Sequence, residues 1–472
     1  MRFCITTLGC KVNQYESQAM ERVLCERGHT TAVMGEGVDV CILNTCAVTA
    51  ESERKSRHII RRMKKLEPAA LVAVCGCYSQ LEPDAVRTLG VELVGGAGDR
   101  LGFVTKVEEL WDSAMPSTQK GQKNDSAIQS SPSQSPPVTF EELPPGNTAS
   151  RTRALLKIQD GCNNFCTYCI VPYIRGRSRS LPLERVVEYA AQLEKQGYKE
   201  IVATGIELAS YGLEIMKQNT REQQCDTKFP RSKSHCPGME KMKQSTCPPA
   251  SLAFVAISNA APSTRLRLGS LSPSLITEEF CREISKIPNL CNHFHISLQS
   301  GCDETLKRMG RKYTANQVYE SIKSIRKHFD INGELCGITA DLIVGFPGET
   351  DEEFAQTLAF IEKAGFSDMH IFPYSIRPGT KATEMPGQIE KDIKKERARM
   401  AAIITNKNTT KFKTAHIGKT ITVLFEQEKT GISKGHSSNY LEVTVKEKVK
   451  QNSIKKVKII SYKNNVLTGE IV

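Results

Sequence analysis

Short apolar runs alternate with helical stretches over the first 112 residues. Arg2–Thr7, Val38–Asn44 and Ala70–Cys75 have the length and content of buried strands, and Gln14–Arg27 and Ala50–Lys65 carry helical spacing between them. Strand, helix, strand, helix predicts a parallel α/β sheet. The rhythm returns over residues 150–400. There Ala154–Ile158, Glu200–Thr204, Arg265–Leu268, His293–Leu298, Thr339–Val344 and Asp368–Phe372 are strand candidates, with helices such as Leu183–Gln196 and Thr314–His328 between them. Six such units predict a partial (β/α)6 barrel, whose chemistry belongs at the C-terminal ends of its strands. From residue 412 the pattern becomes short strands separated by turns, clearest at Thr420–Phe425, Tyr440–Val445 and Val457–Ile460. A small all-β barrel is expected over 412–472.

Two stretches break the pattern. Residues 113–149 are expected to be a linker, because Gln119–Pro137 is Ser, Gln, Pro and Lys with almost no aliphatic side chains. Leu213–Ser251 is polar and lysine-rich with prolines at 230, 237, 248 and 249, and is expected to be an inserted loop. Its Cys225, Cys236 and Cys247 recur at intervals of eleven, but no strand is there to fix a metal site. The expected domains are therefore 1–112, 150–400 and 412–472.

A net charge of +12 favours a polyanionic partner such as nucleic acid, and residues 412–472 hold eleven lysines against five glutamates. The seventeen cysteines are an odd number in a long basic chain, which is unlike a disulfide framework. The opening MRFCITTLGC lacks the features of a secretory signal, and no apolar run is long enough to span a membrane. A cytoplasmic protein is expected, with no membrane partner and with cysteines that are free, catalytic or metal-bound.

Two groups of cysteines carry the candidate chemistry. Cys162, Cys166 and Cys169 form C-x3-C-x2-C directly after the strand that ends at Ile158. Three thiolates on one loop hold three irons of a cubane cluster and leave the fourth open to a ligand; structural zinc usually takes four ligands. Cys10, Cys46 and Cys77 each lie just past a predicted strand. In a parallel sheet those strand-to-helix turns share one edge, so the thiols can converge; buried core cysteines are the alternative. Gly9, Asn44 and Gly76 beside them allow close backbone approach.

The C-x3-C-x2-C run resembles the radical-SAM superfamily, and Tyr168 before the third cysteine fits its pattern. The resemblance implies that the open iron takes the amino and carboxylate groups of S-adenosylmethionine, and that reduction yields a 5′-deoxyadenosyl radical. With TLGCKVNQYES, NTCAVTAESERKSR, GCYSQ and RGRSRS added, the chain is similar to the methylthiotransferase family, with Lys11–Gln14 favouring its MtaB branch. That resemblance implies a second, auxiliary [4Fe–4S] cluster on Cys10, Cys46 and Cys77, with Cys77 chosen over Cys75 because the family cysteine follows Gly76. Cys4, Cys25 and Cys41 fall within predicted elements and are expected in the core.

The implied reaction is methylthiolation at C2 of N6-threonylcarbamoyladenosine at position 37 of tRNA. Sulfur comes from the auxiliary cluster and the methyl group from a second S-adenosylmethionine. The implied partners are a tRNA anticodon stem-loop and a flavodoxin- or ferredoxin-like one-electron donor, and a monomer is expected. No side-chain acid–base pair is implied. The resemblance also points to Thr204 and Gly205 as cofactor contacts, although Glu207 and Ala209 depart from the histidine and glycine frequent there. His295, Ser297 and Gln299 are expected to share an inward strand face. Asp341 leads to a turn at Gly345 and Gly348 near the adenine moiety, and Thr350 with Glu353 predicts a capping box. Arg175, Arg177 and Arg179 are either phosphate contacts or a salt-bridged lead-in to a helix. Arg308, Arg311 and Lys312 are expected on a solvated face. The tail resembles a TRAM domain, with Phe425, His436 and Tyr440 as candidate base contacts. The alternatives are the same chemistry on isopentenyladenosine or on an aspartate of a ribosomal protein, and a non-catalytic iron–sulfur RNA-binding protein.

Overall fold

The computed structural model describes residues 1–114, 135–146, 152–216, 248–331 and 333–472. The chain divides into two units. One comprises Met1–Thr148, Asp160–Arg179 and Ser375–Thr380, and the other Ala149–Gln159, Ser180–Tyr374 and Lys381–Val472.

In the first unit the strands are β1 (Arg2–Thr7), β2 (Thr30–Thr31), β3 (Val40–Thr45), β4 (Leu71–Gly76) and β5 (Leu93–Val94). The helices are α1 (Lys11–Glu26), α2 (Ala50–Leu66), α3 (Cys77–Leu81), α4 (Pro83–Arg87), α5 (Arg100–Ala114) and α6 (Val171–Arg175). The strands pair in the order β2-β1-β3-β4-β5, all parallel. Both faces are apolar, as a parallel sheet covered by helices on both sides requires. Cys41, Leu43, Val72 and Val74 pack with Ile60 and Met63 of α2. Val40, Ile42 and Ala73 pack with Met20 and Leu24 of α1 and Phe103 and Val107 of α5. Cys4 and Cys41 are core as expected, but Cys25 is exposed on α1.

The second unit opens with β6 (Arg153–Lys157), α7 (Leu183–Lys195), β7 (Glu200–Thr204), α8 (Pro249–Ala260), β8 (Arg265–Leu268), β9 (Ser270–Leu271) and α9 (Glu278–Ile284). It continues with β10 (His293–Gln299), α10 (Asp303–Arg308), α11 (Ala315–Phe329), β11 (Gly337–Val344), α12 (Asp351–Ala364), β12 (Asp368–Pro373) and α13 (Lys391–Thr414). Parallel ladders run β8-β7-β6 and β9-β10-β11-β12, and β9 continues from β8 across Gly269. This is the six-unit partial barrel. The capping box of Thr350 and Glu353 opens α12 as expected.

The tail strands β13 (Thr420–Lys429), β14 (Ile432–Ser437), β15 (Glu442–Val445), β16 (Ser453–Lys463) and β17 (Val466–Ile471) close a barrel in the order β13-β14-β15-β17-β16. Its 437–440 turn sits at the N-terminal ends of the large barrel's strands. There Arg267 donates to the carbonyls of Ser437 and Ser438, each at 3.1 Å, and Asn292 N–H donates to Ser438 Oγ at 2.8 Å.

Several expectations need correction. Residues 249–251 are the first turn of α8, with proline at its start where a missing N–H costs nothing. The wall between β7 and β8 is therefore strand–helix–strand, and 217–247 with their three cysteines lie outside the described residues. Of the expected linker, 115–134 and 147–151 also lie outside. Residues 113–114 end α5, and the end of 135–146 lies against α1, where Tyr15 OH donates to the Leu143 carbonyl at 2.6 Å with Leu143 buried. Phe425 is buried in the small barrel's core rather than available to a base. The Tyr440 ring stacks on His293 at 4.6 Å between centroids, beneath the guanidinium of Arg267 at 4.8 Å. Arg308 and Arg311 are half-buried and partnered, Arg308 with Glu353 and Arg311 with the Ser297 carbonyl at 2.9 Å, while Lys312 is exposed as expected.

Beneath Tyr440, Glu200 is fully buried and pairs with Arg267 at 2.6 Å and Arg153 at 3.3 Å. Removing one partner strands a buried charge. Arg267→Met is expected to lower stability by about 3 kcal/mol, read as a fall in the urea midpoint beyond that of the exposed control Arg282→Met.

Candidate functional site

The strand order of the first unit reverses between β1 and β3. In an open α/β sheet, the crevice outside the carboxyl ends of the strands at such a switch point is where ligands bind. Cys10 stands there as the residue before α1, Cys46 follows β3, and Cys77 opens α3 directly after β4. Side-chain amides and a hydroxyl hold the three turns together. Asn13 Nδ2 donates to the carbonyls of Leu8 and Thr45, both at 2.8 Å. Asn44 Nδ2 donates to the Asn13 carbonyl at 3.0 Å, and Thr45 Oγ1 to the Cys75 carbonyl at 2.7 Å.

Two glycines are required by this geometry. Gly9 has φ +102°, and a Cβ there would lie 2.8 Å from Cys46 Cβ and 2.9 Å from its Sγ. Gly76 has φ +110°, and its Cβ would meet the Thr45 backbone at 2.5 Å. Cys75 points elsewhere, into the core with Phe3 and Phe103.

The donor chemistry fits a metal cluster. Cys46 and Cys77 are buried, and Cys10 is exposed at the mouth of the site. Burial pushes the Cys77 thiol up to about 12, with the Arg175 charge pulling the other way. A thiolate in that place therefore needs a cationic partner, as a bound metal supplies. Among the described residues these thiols do not form a set within 4.8 Å of one another, the spacing of a single-ion site; a cluster of several irons is larger.

The second thiol set belongs to the same unit. Gly161 has φ +69°, and a side chain on it would collide with the Arg177 carbonyl. Cys162 N–H donates to the Gly176 carbonyl at 3.1 Å and Cys169 N–H to the Cys166 carbonyl at 3.0 Å, which closes the loop on itself. Cys166 is buried, while Cys162, Tyr168 and Cys169 are half-buried. Ile170 and Ile174, after the loop, pack into the core that contains Cys77.

Arg175 and Arg179 are buried, which overturns their reading as phosphate contacts. Arg175 donates to Glu16 at 2.8 Å, Asn13 Oδ1 at 2.6 Å and Asp160 at 3.2 Å, and Arg179 pairs with Asp160 at 3.3 Å. Arg177 alone is exposed, its guanidinium 4.4 Å from the Phe165 ring centroid. The salt-bridged alternative holds for the other two.

In the second unit Thr204 is buried at the end of β7, and the following Gly205 leaves room for Gln159, whose Oε1 accepts from Glu207 N–H at 2.7 Å. His295 and Asp341 meet across β10 and β11 at 3.1 Å, and the other His295 ring nitrogen lies 2.8 Å from Thr339 Oγ1. His370 of β12, which the sequence pattern did not single out, joins them: one ligand atom from each lies within 4.8 Å of the others. Its register opposite Asp341 was the signal, and only strand pairing reveals it. The alternation from His295 to Gln299 does not hold, because β10 bulges after Ile296 and Gln299 takes φ +70°. Ser297 stays half-buried, its carbonyl engaged by Arg311 and Tyr313. Gly345 has φ +69° and donates its N–H to Glu349 at 2.7 Å, a turn no side chain adopts readily.

Residues 156–361 match the family model described as Radical SAM superfamily, and residues 2–95 match Uncharacterized protein family UPF0004. The threonylcarbamoyladenosine tRNA methylthiotransferase MtaB of Bacillus subtilis is 34% identical over 448 residues, 93% of this chain and 89% of the relative. The protein of that name from Thermotoga maritima is 35% identical, covering 95% and 92%. A tRNA-2-methylthio-N(6)-dimethylallyladenosine synthase of Pelotomaculum thermopropionicum is 32% identical, covering 91% and 87%. Among solved structures, the radical S-adenosylmethionine methyltransferase TsrM of Kitasatospora setae with cobalamin and a [4Fe-4S] cluster bound superposes with a TM-score of 0.51. It has 15% identity, covering 81% of this chain and 77% of that one, a likeness of fold. Close similarity over nearly the whole length, together with a radical-SAM region and the thiol sets of both segments, assigns the chain: it belongs to the MtaB family of radical-SAM methylthiotransferases.

Proposed function

We propose that the protein methylthiolates C2 of N6-threonylcarbamoyladenosine at position 37 of tRNA, with two [4Fe–4S] clusters and S-adenosylmethionine. The observation that carries the reading is the gathering of Cys10, Cys46 and Cys77 at the switch point of one sheet, in a unit that also holds the Cys162, Cys166 and Cys169 loop. Near-full-length relatives named for this reaction support the substrate.

Cys162, Cys166 and Cys169 would ligate one cluster and Cys10, Cys46 and Cys77 the other. When bound, the clusters and S-adenosylmethionine supply the radical, the sulfur and the methyl group. The chain's own part is to bind, orient and shield. Within the second unit Thr204, Gly205, His295, Ser297, Asp341 and Gly345 are the proposed cofactor contacts, and His370 joins them on its proximity to His295 and Asp341. The lysines of the small barrel outside its docked turn supply salt-dependent phosphate contacts. A flavodoxin- or ferredoxin-like donor supplies electrons. The protein acts as a monomer in the cytoplasm, where tRNA is found; no helix among the described residues is long and apolar enough to cross a membrane.

The test is nucleoside analysis of two anticodon stem-loops treated with the reconstituted protein and dithionite, one carrying threonylcarbamoyladenosine and one isopentenyladenosine at position 37. Methylthio product on the first alone is expected. Product only on the second would transfer the reading to the dimethylallyl relatives' substrate, and S-adenosylmethionine cleavage with neither product would sink both.

A further inference from the structure

The polar groups that tie the two thiol sets together form a buried ionic group. Glu16, Arg100, Asp160, Arg175 and Arg179 are all more than nine-tenths buried. Glu16 receives Arg100 at 2.9 Å and Arg175 at 2.8 Å, and Asp160 receives Arg175 at 3.2 Å and Arg179 at 3.3 Å. The half-buried Glu141 accepts from the backbone N–H groups of Arg100 and Leu101 at the start of α5. Three guanidinium groups thus meet two buried carboxylates and the half-buried Glu141, and charges buried in this way are costly unless they stay paired.

Arg175 is the cation of this group that faces the proposed auxiliary site, with Glu16 as the opposing charge there. The charge of Arg175 acts on Cys46 and Cys77, whereas that of Arg100 acts on Cys75 in the core. Arg175 also donates to Asn13 Oδ1 at 2.6 Å, and that oxygen lies 3.9 Å from Cys10 Sγ. A cubane core held by three thiolates carries about one net negative charge, and one more when reduced. A fixed cation beside it therefore favours the reduced form.

We propose that Arg175, held in place by Glu16, Asn13 and Asp160, is a positioning residue whose fixed charge raises the reduction potential of the cluster at Cys10, Cys46 and Cys77. The step concerned is addition of one electron from the flavodoxin- or ferredoxin-like donor, with no bond made or broken. The inference rests on the two-cluster reading.

The experiment uses the full chain with Cys162, Cys166 and Cys169 replaced by alanine, so that one cluster remains. Iron is counted after anaerobic reconstitution, and the cluster is titrated with dithionite while its electron paramagnetic resonance signal is followed. Relative to this parent, Arg175→Gln is expected to lower the midpoint potential, Glu16→Gln to raise it, and Arg175→Lys to stay nearest the parent. A scaffold role alone gives no such opposite-signed pair. Shifts of the same sign in the two neutralised variants, or none, overturn the proposal. If Arg175→Gln does not fold, Glu16→Gln and Arg175→Lys against the parent decide by the same signs. A parent without iron would defeat the auxiliary-cluster reading, whereas about four irons with unmoved potentials would defeat this inference alone.

Discussion

Replacing Cys162, Cys166 and Cys169 together by alanine is expected to abolish reductive cleavage of S-adenosylmethionine, to the background of dithionite without protein. Iron in the reconstituted chain should fall from about eight to about four per molecule. The loop owes its shape to backbone features that survive the change: the left-handed turn at Gly161, the Cys162 N–H to Gly176 carbonyl bond, and the burial of Ile170 and Ile174. The variant should therefore fold and keep its other cluster. Wild type holding only about four irons, with none in the variant, would show that the first sheet carries no cluster. Cleavage that persists in the variant would place the cofactor's iron elsewhere altogether.

The parts of the fold that were legible in the sequence are those written in apolar periodicity. β1, β7 and β8 have the bounds that their sequence pattern predicts, even though β7 and β8 carry the buried charges of Glu200 and Arg267. The placing of Cys10, Cys46 and Cys77 at strand-to-helix turns along one edge was legible for a topological reason: such turns of a parallel sheet share an edge. Helix α13 was not legible. Its buried stripe is Lys394, Arg397, Ala401, Thr405 and Thr409, which has helical spacing but almost no hydrophobicity, and Arg397 is buried because Glu349 and Asp351 receive it. Arg175 was illegible for a related reason. A basic loop reads the same whether its guanidinium groups meet solvent or buried carboxylates, and its partner Glu16 lies far away in the chain. His370 required the register of β12 on β11, and the bulge that turns Gln299 out of alternation leaves no mark in composition.

Replacing Cys10, Cys46 and Cys77 together should give the complementary phenotype: about four irons retained, S-adenosylmethionine still cleaved, and no methylthio product above background. The two sets come from separate loops of one unit, so losing one set of ligands leaves the other loop's own hydrogen bonds intact. Cys75→Ala separates ligation from packing. Cys75 is fully buried against Phe3 and Phe103, so its removal should cost about 1 kcal/mol of stability and no iron. Product formed by the triple variant would mean that the sulfur does not come through these thiols. Iron lost from the Cys75 variant as well would mean that the site responds to packing of the sheet rather than to the three turns at its switch point. The reading requires that the two differ, with Cys77 essential and Cys75, two residues away, dispensable, because the turn at Gly76 puts them in different core clusters, Cys75 with Phe3 and Phe103 and Cys77 with Ile170 and Ile174.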